Sequence, residues 1–135
     1  MIYSMKQACE LTGMTYQGLK FYCNEGLIPN VKRNASNHRI FDDRDIAWIK
    51  SLLRLRECGM GIRDMKIYTR LCMQGISTIL ERKTMLQAKR EEILERIHEL
   101  EGTLKYIDTK EEFYNDVLAG RREYISNLIP CSCQR

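Results

Sequence analysis

The sequence has 135 residues, a length that suits one domain or a small domain with an extension. No apolar run approaches the roughly 18 residues that a membrane helix needs, and the first thirteen residues, which include Lys6 and Glu10, lack the apolar core of a signal peptide. We therefore expect a cytoplasmic protein without a membrane partner, whose six cysteines stay reduced.

The net charge of +4 is unevenly distributed along the chain. Residues 1–75 contain 12 Lys and Arg against 7 Asp and Glu, whereas residues 76–135 contain 10 against 11. The surplus of positive charge therefore lies in the first half. This asymmetry indicates that the first half meets a polyanion and that the second half has another role.

Two short helices are predicted at the start of the chain. Ser4 can cap the first helix, which ends at Gly13, and Thr15 can cap the second, which continues to about Asn24 before Gly26. The residues "TGMT" separate them. This pattern predicts a helix-turn-helix, whose second helix is presented to DNA.

The segment "LIPNVKRNASNHRIF", residues 27–41, combines turn-forming residues with short apolar stretches. It predicts a two-stranded wing bearing Lys32, Arg33, His38 and Arg39. A solvated basic loop is the alternative.

Three further helices are predicted after the wing. The third begins at Asp42 or Asp43 and ends at Gly59, and the fourth lies between Gly61 and Gly75. From about Thr78 to Leu118 the chain has no proline and no clear stop signal. This predicts a helix of roughly 40 residues, about 60 Å long at 1.5 Å per residue.

The long helix has an apolar seam with heptad spacing. The seam consists of Ile79, Leu86, Ile93, Ile97, Leu100, Leu104, Ile107, Tyr114 and Leu118, and it is interrupted by Lys83, Arg90 and Glu111. A 75-residue domain cannot bury a stripe of this length, so the simplest partner is a second copy of the chain. We predict a homodimer held by an antiparallel coiled coil; a hairpin folding back at Gly102 is the alternative.

The chain resembles the MerR family of bacterial transcription regulators. The resemblance rests on the order of these elements and on the segments "LTGMTYQGLKFYCNEGLIP", "NHRIF" and "LLRLRECGMGIRDM". The resemblance covers about residues 2–118. It implies a mainly α fold. A winged helix-turn-helix DNA-binding domain with two supporting helices would occupy residues 1–75, a coiled-coil dimerisation helix residues 76–118, and a short tail residues 119–135.

The resemblance also implies a set of DNA-binding residues. Base edges would be read at the start of the second helix, whereas the wing and the end of the third helix would contact phosphates. The expected residues are Thr15, Tyr16, Gln17, Lys20, Phe21, Tyr22, Arg33, His38, Arg39 and Arg56. For Phe21 core packing is an equal alternative, and Tyr22 is expected to pack its ring in the core and to face the DNA through its hydroxyl.

Family members of this type bind a pseudo-palindromic operator as dimers, between promoter elements that are spaced too far apart. Effector binding makes the dimer distort this spacer, so RNA polymerase is affected indirectly through the shared promoter. The resemblance therefore implies double-stranded promoter DNA and a second copy as partners, and DNA deformation as the mechanism.

The effector class is predicted from cysteines, because the 17 residues after Leu118 are too few for a separate ligand-binding domain. The words "GLIPNVKR", "DDRDIAWIK", "LCMQG" and "IDTK" resemble the branch that responds to aldehydes and other electrophiles. Cys58 is the candidate sensing thiol, although it lies one turn after the expected position, which Arg54 occupies.

Two alternatives remain for the cysteines. Cys131 and Cys133 could hold copper or zinc and make the protein a metal-responsive regulator, although the better expectation for this pair is a disordered chain end without metal. A buried, inert thiol is the alternative for Cys58 and the expectation for Cys9, Cys23 and Cys72.

No catalytic constellation is visible, since the two histidines lie in the predicted wing and the predicted coiled coil. We expect no enzyme and no cofactor. An adaptor that uses only its coiled coil would leave the wing and the second helix without a role.

Overall fold

The computed structural model describes residues 1–130. The chain divides into two compact units, Met1–Glu91 and Glu92–Arg135. None of the described helices has the length and apolar character needed to cross a membrane.

Helices dominate the described chain, and the expected order of elements is confirmed. The elements are β1 (Ile2–Ser4), α1 (Met5–Thr12), α2 (Tyr16–Asn24), β2 (Lys32–Arg33), β3 (Arg39–Asp42), α3 (Asp43–Glu57), α4 (Ile62–Met73), a 3₁₀ turn (Gly75–Thr78) and α5 (Ile79–Leu118).

Side-chain caps begin the first three helices. Ser4 and Gln7 form a capping box at α1, and Asp42 and Asp45 form another at α3. The Thr15 hydroxyl accepts a hydrogen bond from the Gly18 backbone N–H at 3.0 Å and caps α2. These contacts satisfy backbone donors that the helices leave unpaired, which is why short polar residues fix the three starts.

The wing contains one strand more than the two predicted. β3 lies between β1 and β2 and pairs antiparallel with both, with Tyr3 opposite Phe41 and Lys32 opposite Ile40. The Tyr3 hydroxyl also donates to Asp43 Oδ1 at 2.7 Å. A strand of three residues is too short to show an alternating pattern, so its pairing was not visible in the sequence.

The core of the first unit is built from one face of each short helix and from β3. Its fully buried side chains include Leu19, Phe41, Ile49, Leu52 and Met65. Trp48 packs at the edge of this core and donates its indole N–H to the Leu27 carbonyl at 2.7 Å. This contact ties α3 to the chain that follows α2, and so positions the helix-turn-helix on its support.

α5 is a single helix of 40 residues from Ile79 to Leu118. Gly102 lies inside it, so the hairpin alternative is wrong. The apolar seam is exposed along the helix, and none of the residues of α5 is buried. The unpredicted 3₁₀ turn precedes it, and Arg82 holds that turn by donating to the Gly75 carbonyl at 2.6 Å and to the Thr78 hydroxyl at 3.1 Å.

Candidate nucleic-acid interface

The start of α2 presents polar side chains to solvent. Tyr16, Gln17 and Lys20 are exposed, and Thr15 holds the first turn through its cap. On the opposite side, Leu19 is completely buried in the core. Helix α2 is therefore fixed by one face and free to contact a partner with the other, as a recognition helix requires.

The two adjacent aromatics of α2 differ from the expected arrangement. Phe21 is 46% exposed, whereas Tyr22 is 3% exposed and belongs to the core. Tyr22 lies three residues after the buried Leu19, so a 3.6-residue turn places both on the same face. The expectation that the Tyr22 hydroxyl faces DNA is wrong for this structure, because that oxygen is buried and has no hydrogen-bond partner within residues 1–130.

The wing is shaped by contacts of its own polar side chains. Asn34 Oδ1 accepts hydrogen bonds from the backbone N–H groups of Ser36 and His38, each at 3.0 Å. Asn37 adopts a positive φ of 63°, which Asn tolerates better than most residues. Arg33 donates to the Asn37 carbonyl at 2.8 Å. These hydrogen bonds hold the loop between β2 and β3, and the His38 side chain is exposed.

Arg39 connects the wing to α2. Its guanidinium Nη2 donates to Asn24 Oδ1 at the end of α2, at 2.6 Å. Arg39 still retains further N–H donors, because a guanidinium carries five. The residue can thus hold the wing against α2 and contact a phosphate at the same time.

A groove of about 390 Å³ brings several of these residues together. It is lined by Tyr16 from α2, by Arg33, His38 and Arg39 from the wing, and by Lys6 from α1. Of the ten residues that line the groove, three are cationic (Lys6, Arg33 and Arg39), His38 adds an imidazole and none is acidic, so the groove suits a chain of phosphates. Lys6 was not predicted, because it lies on the first helix of the helix-turn-helix rather than the second, and only the tertiary fold brings α1 beside the wing.

Arg56 and Cys58 lie away from this groove. Arg56 is exposed near the end of α3 and does not line the groove. Cys58 is half-buried, and its backbone N–H caps α3 by bonding to the carbonyls of Arg54 and Arg56. The Arg54 side chain pairs with Glu57 at 3.2 Å. No described residue therefore links Cys58 directly to the groove.

The other described cysteines have different surroundings. Cys9 and Cys23 pack against the core, and burial raises the pKa of both thiols above the usual value. For Cys23 the nearby Arg39 and Arg33 act in the opposite direction. Both residues are consequently thiols rather than nucleophilic thiolates at neutral pH.

Cys72 has a feature that sequence patterns did not indicate. It lines a cavity of about 150 Å³ with Trp48, and an Arg82 guanidinium nitrogen lies 3.8 Å from its sulfur. Arg82 is ten residues away in sequence and reaches Cys72 only because α5 follows the 3₁₀ turn. Within residues 1–130 no group of three or more His, Cys, Asp or Glu could hold a metal ion, and Cys131 and Cys133 lie outside the described residues.

Comparison with known proteins gives consistent sequence matches. The family described as MerR HTH family regulatory protein matches residues 3–71. An uncharacterized HTH-type transcriptional regulator of Haemophilus influenzae is 33% identical over 119 residues, which span 88% of each chain. The HTH-type transcriptional regulator AdhR of Bacillus subtilis is 35% identical over 92 residues, 68% of this chain and 66% of AdhR.

Solved structures of MerR family regulators are also similar to this chain. The crystal structure of HiNmlR, a MerR family regulator lacking the sensor domain and bound to promoter DNA, aligns with a TM-score of 0.72 at 33% identity. That alignment covers 88% of this chain and 94% of HiNmlR. A MerR family regulator from Bacillus thuringiensis aligns with a TM-score of 0.68 at 30% identity, over 84% of this chain and 100% of the other. These relatives are regulators rather than enzymes.

Proposed function

The chain belongs to the MerR family of DNA-binding transcription regulators, and we propose that it acts on a pseudo-palindromic promoter operator as a homodimer. The basic groove between α1, α2 and the wing is the observation that carries this proposal. It combines exposed polar side chains for base edges with cations for phosphates, the two kinds of contact that a specific DNA complex needs.

The residue roles follow from their positions. Tyr16 and Gln17 begin the exposed face of α2, where a recognition helix contacts base edges in the major groove. Lys20 and Arg39 contact phosphates, and Lys6 adds a phosphate contact from α1. Phe21, half-exposed beside them, packs against the sugar-phosphate backbone. Arg56 extends the phosphate contacts beyond the groove.

Phosphate contacts by Lys20 and Arg39 predict a steep salt dependence of operator affinity. In a homodimer each substitution to alanine removes two cationic contacts, so the slope of log K against log salt becomes shallower by roughly 2 for each variant. Fluorescence anisotropy with the operator duplex at several salt concentrations measures this slope. Arg39→Ala also removes the bond to Asn24, and circular dichroism verifies that the variant is folded.

Lys105→Ala is the matched control, because Lys105 is an exposed lysine of α5 and far in sequence from the helix-turn-helix. Its slope and affinity should equal those of the unmodified protein. If Lys20→Ala and Arg39→Ala both bind with unchanged affinity and slope, DNA binding through the exposed face of α2 and the adjoining groove is refuted.

For the effector we propose an electrophile or redox signal that is sensed at Cys58. The sequence segments that resemble the aldehyde-responsive branch support this proposal. The position of Cys58 also supports it, because Cys58 caps the end of α3 and a modified side chain there would disturb the cap. The α3 segment that ends at Cys58 contributes Ile49, Leu52 and Leu55 to the core of the DNA-binding unit. A change at its end can therefore reach the packing that supports α2, and so alter the distortion of the promoter spacer.

A promoter-reporter assay with an aldehyde tests this proposal. Cys58→Ser should abolish induction without lowering operator affinity, whereas Cys72→Ser and the pair Cys131→Ser with Cys133→Ser should still respond. Loss of induction only in the Cys131 and Cys133 variant would favour the metal-responsive alternative, and loss only in Cys72→Ser would move the sensing thiol to the cavity beside Arg82.

A further inference from the structure

The seam of α5 contains three charged residues that disrupt its apolar pattern. Lys83, Arg90 and Glu111 occupy seam positions between Ile79 and Leu118, and all three side chains are exposed. Within residues 1–130 none of them has a hydrogen bond or an ion pair with its own chain. Charged residues at a coiled-coil seam weaken the packing of the two helices unless they meet an opposite charge. When they do, they can specify how the two helices are aligned.

The seam positions restrict the antiparallel alignments to registers that differ by whole heptads, and full overlap is one of these. Successive positions are separated by alternating steps of three and four residues, so in an antiparallel pair each layer joins one residue from each copy. When the two helices overlap over their full length, Ile79 faces Leu118 of the second copy, and the numbers of facing residues always add to 197. Every seam residue then faces another seam residue, from Ile79 at one end to Ile97 and Leu100 at the centre.

In this alignment the three charged positions come together. Glu111 of one copy faces Leu86 of the other, and the layers on either side contain Lys83 and Arg90 of that same copy. Adjacent layers are about 5 Å apart, since they are separated by three or four residues at 1.5 Å each. Long Lys and Arg side chains span this distance, so one carboxylate lies between two cations.

We propose that Glu111 of one copy forms an ion-pair cluster with Lys83 and Arg90 of the other, and that this cluster fixes the antiparallel orientation and the register of the homodimer. The proposal rests on the homodimer proposed above and names the residues that specify it. Two-fold symmetry forms the cluster twice, once towards each end of the coiled coil.

Other arrangements separate these charges. A parallel, in-register pair places each of the three residues beside its own copy, which brings like charges together. An antiparallel pair shifted by one heptad leaves Glu111 beside only one of the two cations and removes two seam positions of each helix from the overlap. Full overlap is the arrangement that brings all three charges together and covers the whole seam.

The positions that flank the seam have weaker and mixed preferences. Arg96 would approach Glu101 in a parallel pair, and Lys89 would approach Lys110 in the antiparallel pair. Arg96, however, already pairs with Glu99 of its own chain at 3.4 Å, and Lys89 lies 4.0 Å from Asp64. Because exposed rim pairs are screened by water and salt, they decide less than charges enclosed in the seam.

Charge exchange on the full-length protein tests the cluster. Glu111→Lys gives one variant, and Lys83→Glu with Arg90→Glu gives the second. Each variant alone should dimerise at least tenfold more weakly than the unmodified chain in sedimentation equilibrium, because its clusters contain only like charges. An equimolar mixture should form heterodimers of nearly unmodified affinity, since every lysine or arginine then meets glutamate. The triple variant should also regain dimerisation.

Glu112→Lys is the matched control, because it makes the same change at the next residue, outside the seam, and should leave dimerisation unchanged. A dimeric unmodified protein whose variants are not restored by mixing would overturn the cluster while leaving the dimeric regulator intact. A monomeric unmodified protein at micromolar concentration would overturn the dimer itself.

Distances between nitroxide labels on genetically encoded ketone residues give a second readout. A label at Glu101 lies five residues along the axis from its copy, or about 8 Å, and a label at Glu81 lies 35 residues from its copy, or about 52 Å. A parallel pair predicts short distances at both sites and would contradict the proposal. A shift by one heptad would place the Glu81 labels about 42 or 63 Å apart along the axis and the Glu101 labels about 18 or 3 Å apart, and would contradict the register.

Discussion

Phe21 and Tyr22 show how one residue of helical rotation separates a core side chain from a surface side chain. Tyr22 shares the buried face of α2 with Leu19, whereas Phe21 faces outward. The buried Tyr22 hydroxyl has no hydrogen-bond partner among residues 1–130. A buried polar group without a protein hydrogen-bond partner adds little to the stability of the fold.

Tyr22→Phe should therefore leave the free energy of unfolding unchanged or raise it by up to about 1 kcal/mol, because it removes only the unpaired hydroxyl. Urea denaturation measures this change. Tyr22→Ala is the comparison, and it should lose about 3 kcal/mol or more because it leaves a cavity. Operator affinity should not change in Tyr22→Phe; a clear loss of affinity in a fully stable variant would mean that the hydroxyl reaches DNA.

At the scale of the element, α5 contains a glycine, Gly102, that neither a positive φ nor a close contact within its own chain requires. Gly102 has room for a methyl group, with no atom within 4 Å of the position a Cβ would take. It also lies between the seam positions Leu100 and Leu104 and is not itself part of the seam. Glycine in a helix interior costs roughly 1 kcal/mol relative to alanine, through backbone entropy.

Gly102→Ala should consequently stabilise the protein by about 0.5–1 kcal/mol and increase helicity, with no change in operator affinity. Thermal unfolding followed by circular dichroism at fixed protein concentration measures this. Gly120→Ala is the control, since Gly120 adopts a positive φ of 76° that alanine tolerates poorly, and it should give no gain. Destabilisation by Gly102→Ala would indicate that this position is in close contact with another helix in the dimer.

At the scale of the whole molecule, the proposed homodimer joins two DNA-binding units through their α5 helices. Two recognition helices that are tied in this way should bind half-sites with one fixed spacing and on one face of the duplex. A second chain also doubles the phosphate contacts, which increases both affinity and its dependence on salt.

Inserting five base pairs between the half-sites should therefore reduce affinity to about that of a duplex with one half-site, because it rotates one site by about half a turn. Electrophoretic mobility shift with footprinted operator measures the loss. The control for spacing is an operator of unchanged length in which five central base pairs are replaced by others. Equal binding to the original and the lengthened operator would show that the two units bind independently.

Much of the fold follows from local sequence. Ser4, Thr15 and Asp42 are short polar residues that satisfy free backbone donors within the next three positions, so the starts of α1, α2 and α3 are local events. The seam of α5 is similarly local, because its spacing depends only on the period of one helix. These elements and the order in which they occur were predictable without coordinates.

The composition of the candidate interface depends on contacts between residues that are distant in sequence. Lys6 lines the groove because α1 packs beside the wing, and Arg39 reaches Asn24 across 15 residues. β1 is a strand only because β3 pairs with it. Cys72 contacts Arg82 because the 3₁₀ turn lies between them, and no sequence pattern predicted this turn. No local pattern records such pairings, because their free energy arises from side chains that meet only in the folded chain.

The sequence by itself determined the helix-turn-helix, the wing with its basic residues and the long seamed helix, since caps, turns and periodicity act over a few residues. Only the tertiary structure decided which face of α2 is free, which cations share the groove and which cysteine lies beside a guanidinium. Burial is the physical reason for this division, because whether a side chain is enclosed by the core depends on every element packed around it, and not on its own segment.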